Sequence, residues 1–467
     1  MSEKRPSCYG KWGVDEMFER EAGLRLLKKL VQGSSADQTE IVLLTEDSSL
    51  TRFTQSHVHQ HVAERNGILV LRVVLGKRIA VATTNTLTLS SMKKSLQNAI
   101  SLAKVQHPND EFVSLPGPRP IPEVNTFSKG INTLTPNKKV KMIKKIFGLV
   151  KGKGLKASGA FSNGEVELAA VNSLGVEAYQ RYSDLFLNLI AENEKNSGYA
   201  SFVSRNVDQL DIEHLMGEAI EKVSREEPIP IEPGEYEVIL EPYAVSELLS
   251  FLGYLGFHAL AVQENRSFFC NEFGKKMVDE KVTIYDDGLD PSGLQVPFDF
   301  EGVPKQKVTF FQRGVAKEVT YDSLTAGREK KSSTGHGLIA PNTAGPVPIN
   351  LAMEDGKSSL EEMIRSVRKG IYVTRFHYTN VVEPMKAVIT GMTRDGTFLI
   401  EEGEIKRPIK NLRFTESVLK ALSQVTAISK ERRICSEGTV YSRRFVTGTV
   451  VPAIKIDGFN FSGVSVL

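Results

Sequence analysis

Two groups of closely spaced prolines limit how far any single helix or strand of this chain can extend. The first group lies within residues 108–122 and the second within residues 228–233. Proline fixes its φ angle and has no backbone N–H, so such runs form extended connectors rather than helices or central strands. The sequence therefore predicts three parts: residues 1–125, residues 126–233 and residues 234–467.

The apolar pattern predicts an α+β fold. Residues 68–75 have the apolar and β-branched composition of a strand, and an amphipathic helix is predicted from Leu89 to Val105. Beyond residue 235 short strand-like runs dominate. We therefore predict an N-terminal α+β domain, a strand-rich middle module and a β-rich C-terminal domain.

Three local signals predict how individual elements begin or end. Thr135 followed by Pro136 is typical of a capped helix start. Ser359 with Glu362 has the spacing of a capping box. The pair Asn163–Gly164 is a strong turn signal, and it predicts a β-hairpin within the middle module.

Composition excludes several classes of protein. Of the 467 residues, 40% are hydrophobic and 25% are charged, as in a globular protein with a large core. Lys and Arg number 59 and Asp and Glu 56, a balance that predicts neither a nucleic-acid nor a membrane partner. The most apolar segment, residues 244–262, carries polar residues and is predicted to be a buried helix rather than a membrane span. The separated cysteines Cys8, Cys270 and Cys435 suggest no disulfide framework and favour the cytoplasm.

Two groups of side chains are of the residue types that bind metal ions. His57, His59 and His61 would share one face of a strand and could converge on a metal ion, but a solvent-facing polar stripe is the favoured interpretation. A set of carboxylates would suit Ca²⁺ or Mg²⁺, although a turn is favoured there too. These carboxylates are Asp286, Asp287, Asp290, Asp299 and Glu301.

A zinc-protease motif is absent from the sequence. Zinc proteases place a Glu directly after the first ligand His, because its carboxylate activates the zinc-bound water. None of the 8 histidines is followed by Glu. His258, alone on an apolar segment, is typical of a hydrogen-bonded core residue. The sequence thus predicts no metal site in this chain.

A series of short stretches resembles the TldD/TldE (PmbA) metallopeptidase family. An early stretch is Thr51-Arg52-Phe53 with Ser56 and His59-Gln60. The later stretches are residues 282–287 (VTIYDD), residues 298–304 (FDFEGVP), Gly314, Thr334-Gly335, residues 370–374 (GIYVT) and residues 398–403 (FLIEEG). Their shared order between Thr51 and Gly463 makes the resemblance specific.

The resemblance implies a role in the proteolysis of peptides or unfolded proteins. The zinc-bearing TldD branch carries His-Glu, a second His after three intervening residues, and a later Cys. The corresponding stretch here is expected at about residues 251–269, which contain no His-Glu pair, while Cys435 lies roughly where the Cys ligand falls. The chain therefore resembles the TldE branch, which lacks the zinc motif.

That branch implies a dimer in which this chain binds no cofactor and a TldD-like partner subunit carries zinc. Candidate substrate-binding residues on the family stretches are Asp299, Glu301, Tyr372 and Thr374. Two alternatives stay open. One is a stand-alone peptide- or protein-binding module, as the family's other label, modulator of DNA gyrase, suggests. The other is an active peptidase whose unusual catalytic site draws on His258, Glu264 and Cys435.

Overall fold

The computed structural model describes residues 20–436 and 443–464, so Cys8 lies outside the described residues. Two large sheets dominate, and helices pack on both of them. The predicted α+β class is confirmed.

The N-terminal sheet has six antiparallel strands in the order β3-β2-β1-β4-β5-β6. Its strands are β1 (Gln38–Thr54), β2 (His57–Leu75), β3 (Arg78–Thr84), β4 (Lys156–Asn172), β5 (Glu177–Glu192) and β6 (Ser197–Ser204). The accompanying helices are α1 (Arg20–Gln32), α2 (Leu89–Val105), α3 (Lys129–Asn132), α4 (Pro136–Lys151) and α5 (Ile212–Glu221), with a short 3₁₀ turn at Val207–Gln209.

Strands from the first two predicted parts share this one sheet. Strand β1 pairs with β4 along its length, from Glu40 opposite Asn172 to Phe53 opposite Gly159. Asn163–Gly164 lies inside β4 rather than at a turn, so the predicted hairpin is wrong. The reason is pairing with a distant strand: a Cβ at Gly164 would meet the Asp47 carbonyl oxygen of β1 at 2.7 Å, so glycine here permits close strand pairing.

Two apolar layers cover the sheet. Leu27 of α1 and Met92 of α2 join Ile41 in one cluster, while Ile143 of α4 joins Phe161 in another. Helix α4 begins as predicted, because the Thr135 hydroxyl accepts a hydrogen bond from the Lys138 N–H and Pro136 occupies the first turn.

The C-terminal sheet has eleven strands. They are β7 (Gly234–Leu240), β8 (Ile284–Asp286), β9 (Val308–Gln312), β10 (Val315–Ala316), β11 (Leu351–Met353), β12 (Lys369–Glu383), β13 (Val388–Glu401), β14 (Glu404–Pro408), β15 (Leu412–Ser417), β16 (Val425–Cys435) and β17 (Thr449–Val464). The helices are α6 (Pro242–Leu255), α7 (Ala259–Gln263), α8 (Ser323–Arg328), α9 (Leu360–Arg365) and α10 (Val418–Ser423), with a 3₁₀ turn at Pro384–Lys386. Strand β17 pairs with β7, β11, β15 and β16, so it lies at the centre of the sheet.

The most apolar segment forms two short buried helices. Helix α6 buries Leu248, Leu249 and Leu252 and ends at Leu255, before α7 begins. The predicted burial of this segment is confirmed, but the segment forms two helices rather than one. Within the described ranges, no helix combines the length and the apolar character that crossing a membrane requires.

Both proline connectors lie against the sheets. Residues 106–128 contain no strand or helix, and Phe112 and Leu115 pack against Val74 of the N-terminal sheet. In the second connector, Ile229 exchanges backbone hydrogen bonds with the segment around Ile409. The three-part division of the chain stays a prediction.

Candidate functional site

A cavity of about 590 Å³ lies where the N-terminal sheet meets the C-terminal sheet. Its walls come from β6, α6, β12, the end of β16 and the chain leading into β17. The lining residues are Tyr199, Tyr243, Ser246, Glu247, Ser250, Phe251, Arg375, Phe376, Tyr378, Thr379, Cys435, Ser436 and residues 445–449.

Helix α6 presents its polar stripe to this cavity. Ser246, Glu247, Ser250 and Phe251 share one side, because residues three and four apart lie on the same face of a helix. The opposite side carries the leucines buried in the core. Glu247 is the one Asp, Glu, Lys or Arg within residues 244–262. The helix therefore holds this carboxylate at the cavity by burying its apolar face.

Two aromatic rings, one from β6 and one from α6, and a cysteine complete the wall of the cavity. The rings of Tyr199 and Tyr243 meet edge to face with centroids 5.0 Å apart. The Tyr243 hydroxyl accepts a hydrogen bond from the Ser201 N–H at 2.9 Å, which fixes the ring against β6. Cys435 is buried, and burial raises the pKa of its thiol to about 12.

Arg375 contributes an oriented positive charge. Its guanidinium lies 4.5 Å from the Tyr199 ring centroid, in cation–π geometry. Its Nε donates to an Asp395 carboxylate oxygen at 2.7 Å, and the Ser197 hydroxyl donates to the other oxygen at 2.6 Å. This chain of contacts joins β6 to β12 and β13, so both sheets define the cavity.

Tyr372 and Thr374 face a neighbouring polar network instead. The Thr374 hydroxyl donates to Glu241 at 3.1 Å, and Lys222 donates to the other Glu241 oxygen at 2.8 Å. Tyr372 borders a second cavity, of about 820 Å³, together with Glu218. Burial raises the pKa of Tyr372 well above its usual range, and the adjacent Glu241 carboxylate adds to the shift.

Glu218 is held in its ionised form by two neighbouring cations of this network. Both its oxygens accept hydrogen bonds from Arg433 at 2.6 Å, and Lys222 lies 3.2 Å away. Burial alone would raise the pKa of Glu218, but the Arg433 hydrogen bonds and the Lys222 charge lower it to about 2. Arg433 also donates to the Tyr243 hydroxyl, so the network supports the aromatic wall of the first cavity.

Asp299 and Glu301 lie between the two sheets, and neither borders these two cavities. Glu301 pairs with Arg72 of β2 at 2.8 Å. Asp299 accepts hydrogen bonds from the N–H groups of Val303 at 2.9 Å and Gly337 at 2.6 Å. Burial, followed by repulsion from Glu301, raises the pKa of Asp299 well above its usual range. These contacts close a turn and connect the sheets, and substrate binding by this pair stays a prediction.

The structure does not bring His258, Glu264 and Cys435 together. His258 is fully buried, accepts a hydrogen bond from the Ala261 N–H at the start of α7, and contacts the Tyr254 carbonyl at 3.2 Å. Burial lowers the pKa of His258 to about 4. Glu264 pairs with Arg266 at the surface. The prediction of a hydrogen-bonded core histidine is confirmed, and Cys435 alone of the three borders the cavity.

The metal-ligand candidates are dispersed. His57, His59 and His61 are exposed on β2, and His61 contacts the Thr51 hydroxyl at 2.8 Å. Asp286 is buried against His336 at 2.9 Å and Lys305 at 3.8 Å. Among residues 20–436 and 443–464, no group of three or more His, Cys, Asp and Glu side chains is arranged to hold a metal ion.

Comparison with known proteins identifies the family. Residues 233–463 match the model of the PmbA/TldA metallopeptidase C-terminal domain. The chain belongs to the TldD/PmbA family. A metalloprotease TldD homolog of Buchnera aphidicola is 30% identical over 219 residues, which cover 44% of each chain. The chain thus spans less than half the length of the first curated relatives that it matches. A metalloprotease PmbA homolog of Haemophilus influenzae is 23% identical over 85% of this chain and 88% of the relative.

Solved structures share the fold over nearly the whole chain. TldE from Thermococcus kodakarensis superposes with a TM-score of 0.84 at 22% identity, covering 94% of this chain and 100% of that chain. A putative modulator of DNA gyrase from Thermotoga maritima superposes with a TM-score of 0.81 at 19% identity, covering 93% and 99%. These likenesses establish the fold of this TldD/PmbA family member.

The cavity also shows which residues of α6 correspond to the zinc motif. Ser246, Glu247 and Phe251 have the spacing of the His, Glu and second His of the zinc-bearing branch, and Cys435 borders the same cavity. The structure therefore favours a stretch that begins earlier on α6 than residues 251–269. Serine and phenylalanine supply no imidazole, so the side chains here do not fit the zinc site of that branch. The sequence signal that was missed is the single Glu on an otherwise uncharged helix.

Proposed function

We propose that this chain is the subunit of a TldD/TldE-type peptidase that holds the peptide, while a TldD-like subunit carries zinc and performs hydrolysis. One observation carries the proposal. The cavity contains Glu247 and Cys435, but Ser246 and Phe251 stand where the two imidazoles of the zinc motif would be.

The chemistry of the lining residues supports a binding role. Peptide hydrolysis near neutral pH needs an activated water, for which metal-bound water is the source in metallopeptidases. Two of the three ligand positions of the zinc motif are Ser246 and Phe251, which cannot contribute a zinc ligand of the required type. What the cavity offers is hydroxyl groups for backbone hydrogen bonds and aromatic rings for side chains, the usual lining of a ligand site.

Positioning alone accounts for a catalytic contribution by such a subunit. Holding an extended peptide in one geometry lowers the entropic part of the barrier without new chemistry. Because the cavity has walls from both sheets, its shape depends on how the two sheets are held together. We expect the working assembly to be a cytoplasmic heterodimer whose substrates are peptides or unfolded proteins.

The test is a peptidase assay on this chain, on a TldD-like relative from the same organism, and on their mixture. We expect little turnover by this chain, and a gain on mixing that a chelator abolishes. Chelator-sensitive turnover by this chain alone would refute the binding role and favour an unusual active site. A mixture no more active than the TldD-like relative would instead favour a stand-alone binding module.

A further inference from the structure

Tyr378 combines two unfavourable features at the rim of the candidate cavity. Its φ angle is +52°, in the left-handed region that bulky L-residues rarely adopt. Its side chain is 69% exposed although it is a large aromatic residue. Tyr378 also lines the cavity directly. Backbone strain of this kind persists only where the surrounding structure holds it, and it clusters at ligand sites.

A β-bulge between β12 and β13 produces this conformation. His377 pairs with Met392, and the next paired residue, Asn380, faces Thr390. Tyr378 and Thr379 therefore oppose a single residue of β13. Such bulges re-aim a side chain and are frequent next to active sites.

The opposing residue is suited to the bulge. That residue is Gly391, where a Cβ would lie 2.7 Å from the Thr379 hydroxyl and 2.9 Å from the Phe414 ring. Asn380 donates a side-chain hydrogen bond to the Tyr378 carbonyl at 3.0 Å. The His377 ring meets the Tyr378 ring edge to face, with centroids 4.6 Å apart. The backbone and the ring are thus both held, at a position where glycine would relieve the strain.

We propose that Tyr378 contacts the substrate, packing against an aromatic or large aliphatic side chain of a peptide held in the cavity. The inference rests on the proposed peptide-binding function and adds a side-chain preference to it. Phe251 and Phe376 lie in the same cavity, so an apolar side chain entering past Tyr378 meets further apolar surface. Hydroxyl groups such as that of Ser246 remain available to the peptide backbone.

The experiment measures peptide binding by the full-length chain. Two fluorescein-labelled peptides of Gly and Ser are used, which differ only in a central Phe or Ser, and fluorescence anisotropy gives the dissociation constants. We expect the Phe peptide to bind about tenfold more tightly than the Ser peptide. Tyr378→Gly should remove most of this difference without lowering the melting temperature, and Tyr378→Phe should retain it.

A matched control separates strain relief from contact. Glu402 has φ +48° in the turn between β13 and β14 and does not border the cavity. Glu402→Gly relieves the same kind of strain and should leave both peptide affinities unchanged. Tyr378→Asn is the second test variant, because asparagine accepts the left-handed conformation but has no ring.

Each other outcome has a distinct meaning. If the unaltered chain binds neither peptide, the proposed peptide-holding function fails together with this inference. If it binds the Phe peptide and both ring-removing variants bind equally well, only the assignment to Tyr378 fails. If those variants weaken association with the TldD-like relative but not peptide binding, the ring is an assembly contact, which also overturns the inference.

Discussion

Replacing Arg444 with methionine should both destabilise the protein and loosen one wall of the candidate cavity. Arg444 belongs to the C-terminal part of the chain, yet its guanidinium is buried in the N-terminal sheet. There it pairs with Asp184, and Nη1 donates to the Ser162 hydroxyl at 2.6 Å. The residues that follow it, 445–449, line the cavity.

The size of the destabilisation follows from the buried groups that lose their partner in Arg444→Met. Methionine keeps the backbone N–H that donates to Glu46. It removes the hydrogen bonds from Nε to the Asp184 carboxylate and from Nη2 to the Asp184 carbonyl, each 3.2 Å long, and it removes the ion pair itself. Asp184 and Arg444 are each only 3% exposed, so a buried carboxylate loses its hydrogen-bonded ion-pair partner, and Arg205 remains only as a nearby charge. Removing one partner of such a pair costs about 3–5 kcal/mol.

The assay is urea unfolding followed by circular dichroism and tyrosine fluorescence, together with peptide binding at low urea. Arg444→Met should lower the free energy of unfolding by about 3–5 kcal/mol. The matched variant Arg444→Met with Asp184→Leu should recover much of that loss, because no charge is left unpaired. A loss below about 1 kcal/mol for the single variant, the value of an exposed pair, would refute the buried anchor.

Two further predictions test the site and its supporting network. The double substitution Ser246→His with Phe251→His should make the chain retain about one zinc per chain after dialysis, measured by elemental analysis. Adding Cys435→Ala should abolish the retention, and a Ser246→Ala/Phe251→Ala control that retained equal zinc would contradict the placement of the motif on α6. Glu218, whose folded pKa is lowered to about 2, stabilises the fold above its ordinary pKa of 4.5, and this stability is lost as pH falls between these values. Glu218→Gln should thus lower the free energy of unfolding by on the order of 2 kcal/mol at pH 7. The loss, measured from urea midpoints, should be clearly smaller at pH 3, and an equal loss at both pH values would contradict the ionised pair.

Local signals predicted elements whose causes are also local. The Thr135–Pro136 helix start was predicted correctly, and so was the Ser359–Glu362 capping box, because each depends on side chains within one helical turn. Asn163–Gly164 failed because long-range pairing overrode local turn preference. Asn163 lies opposite Ser49 of β1 and donates to the Ile131 carbonyl, contacts that no window of neighbouring residues contains.

The candidate site was only partly predictable for the same reason. Cys435 was identified through its family position, and it does border the cavity. Glu247 has no neighbouring histidine to mark it as part of a zinc motif, and its significance comes from being the single charge on helix α6. Tyr378 depends on a register shift between two strands, which no spacing rule reveals. Tyr199 reaches the cavity from β6, a strand of the other sheet.

The pairing of β1 with β4 has a consequence for how the chain folds during synthesis. The Thr39 N–H donates a hydrogen bond to the Ser173 hydroxyl at 3.0 Å, although these two residues are 134 positions apart in sequence. One edge of β1 stays unsatisfied until the ribosome has produced β4, so the hairpin of β1 and β2 emerges first with an open apolar edge. High contact order of this kind slows folding, and an open strand edge invites pairing with other chains. The nascent chain thus passes through a stage at which chaperone protection matters most, between the synthesis of β2 and that of β4.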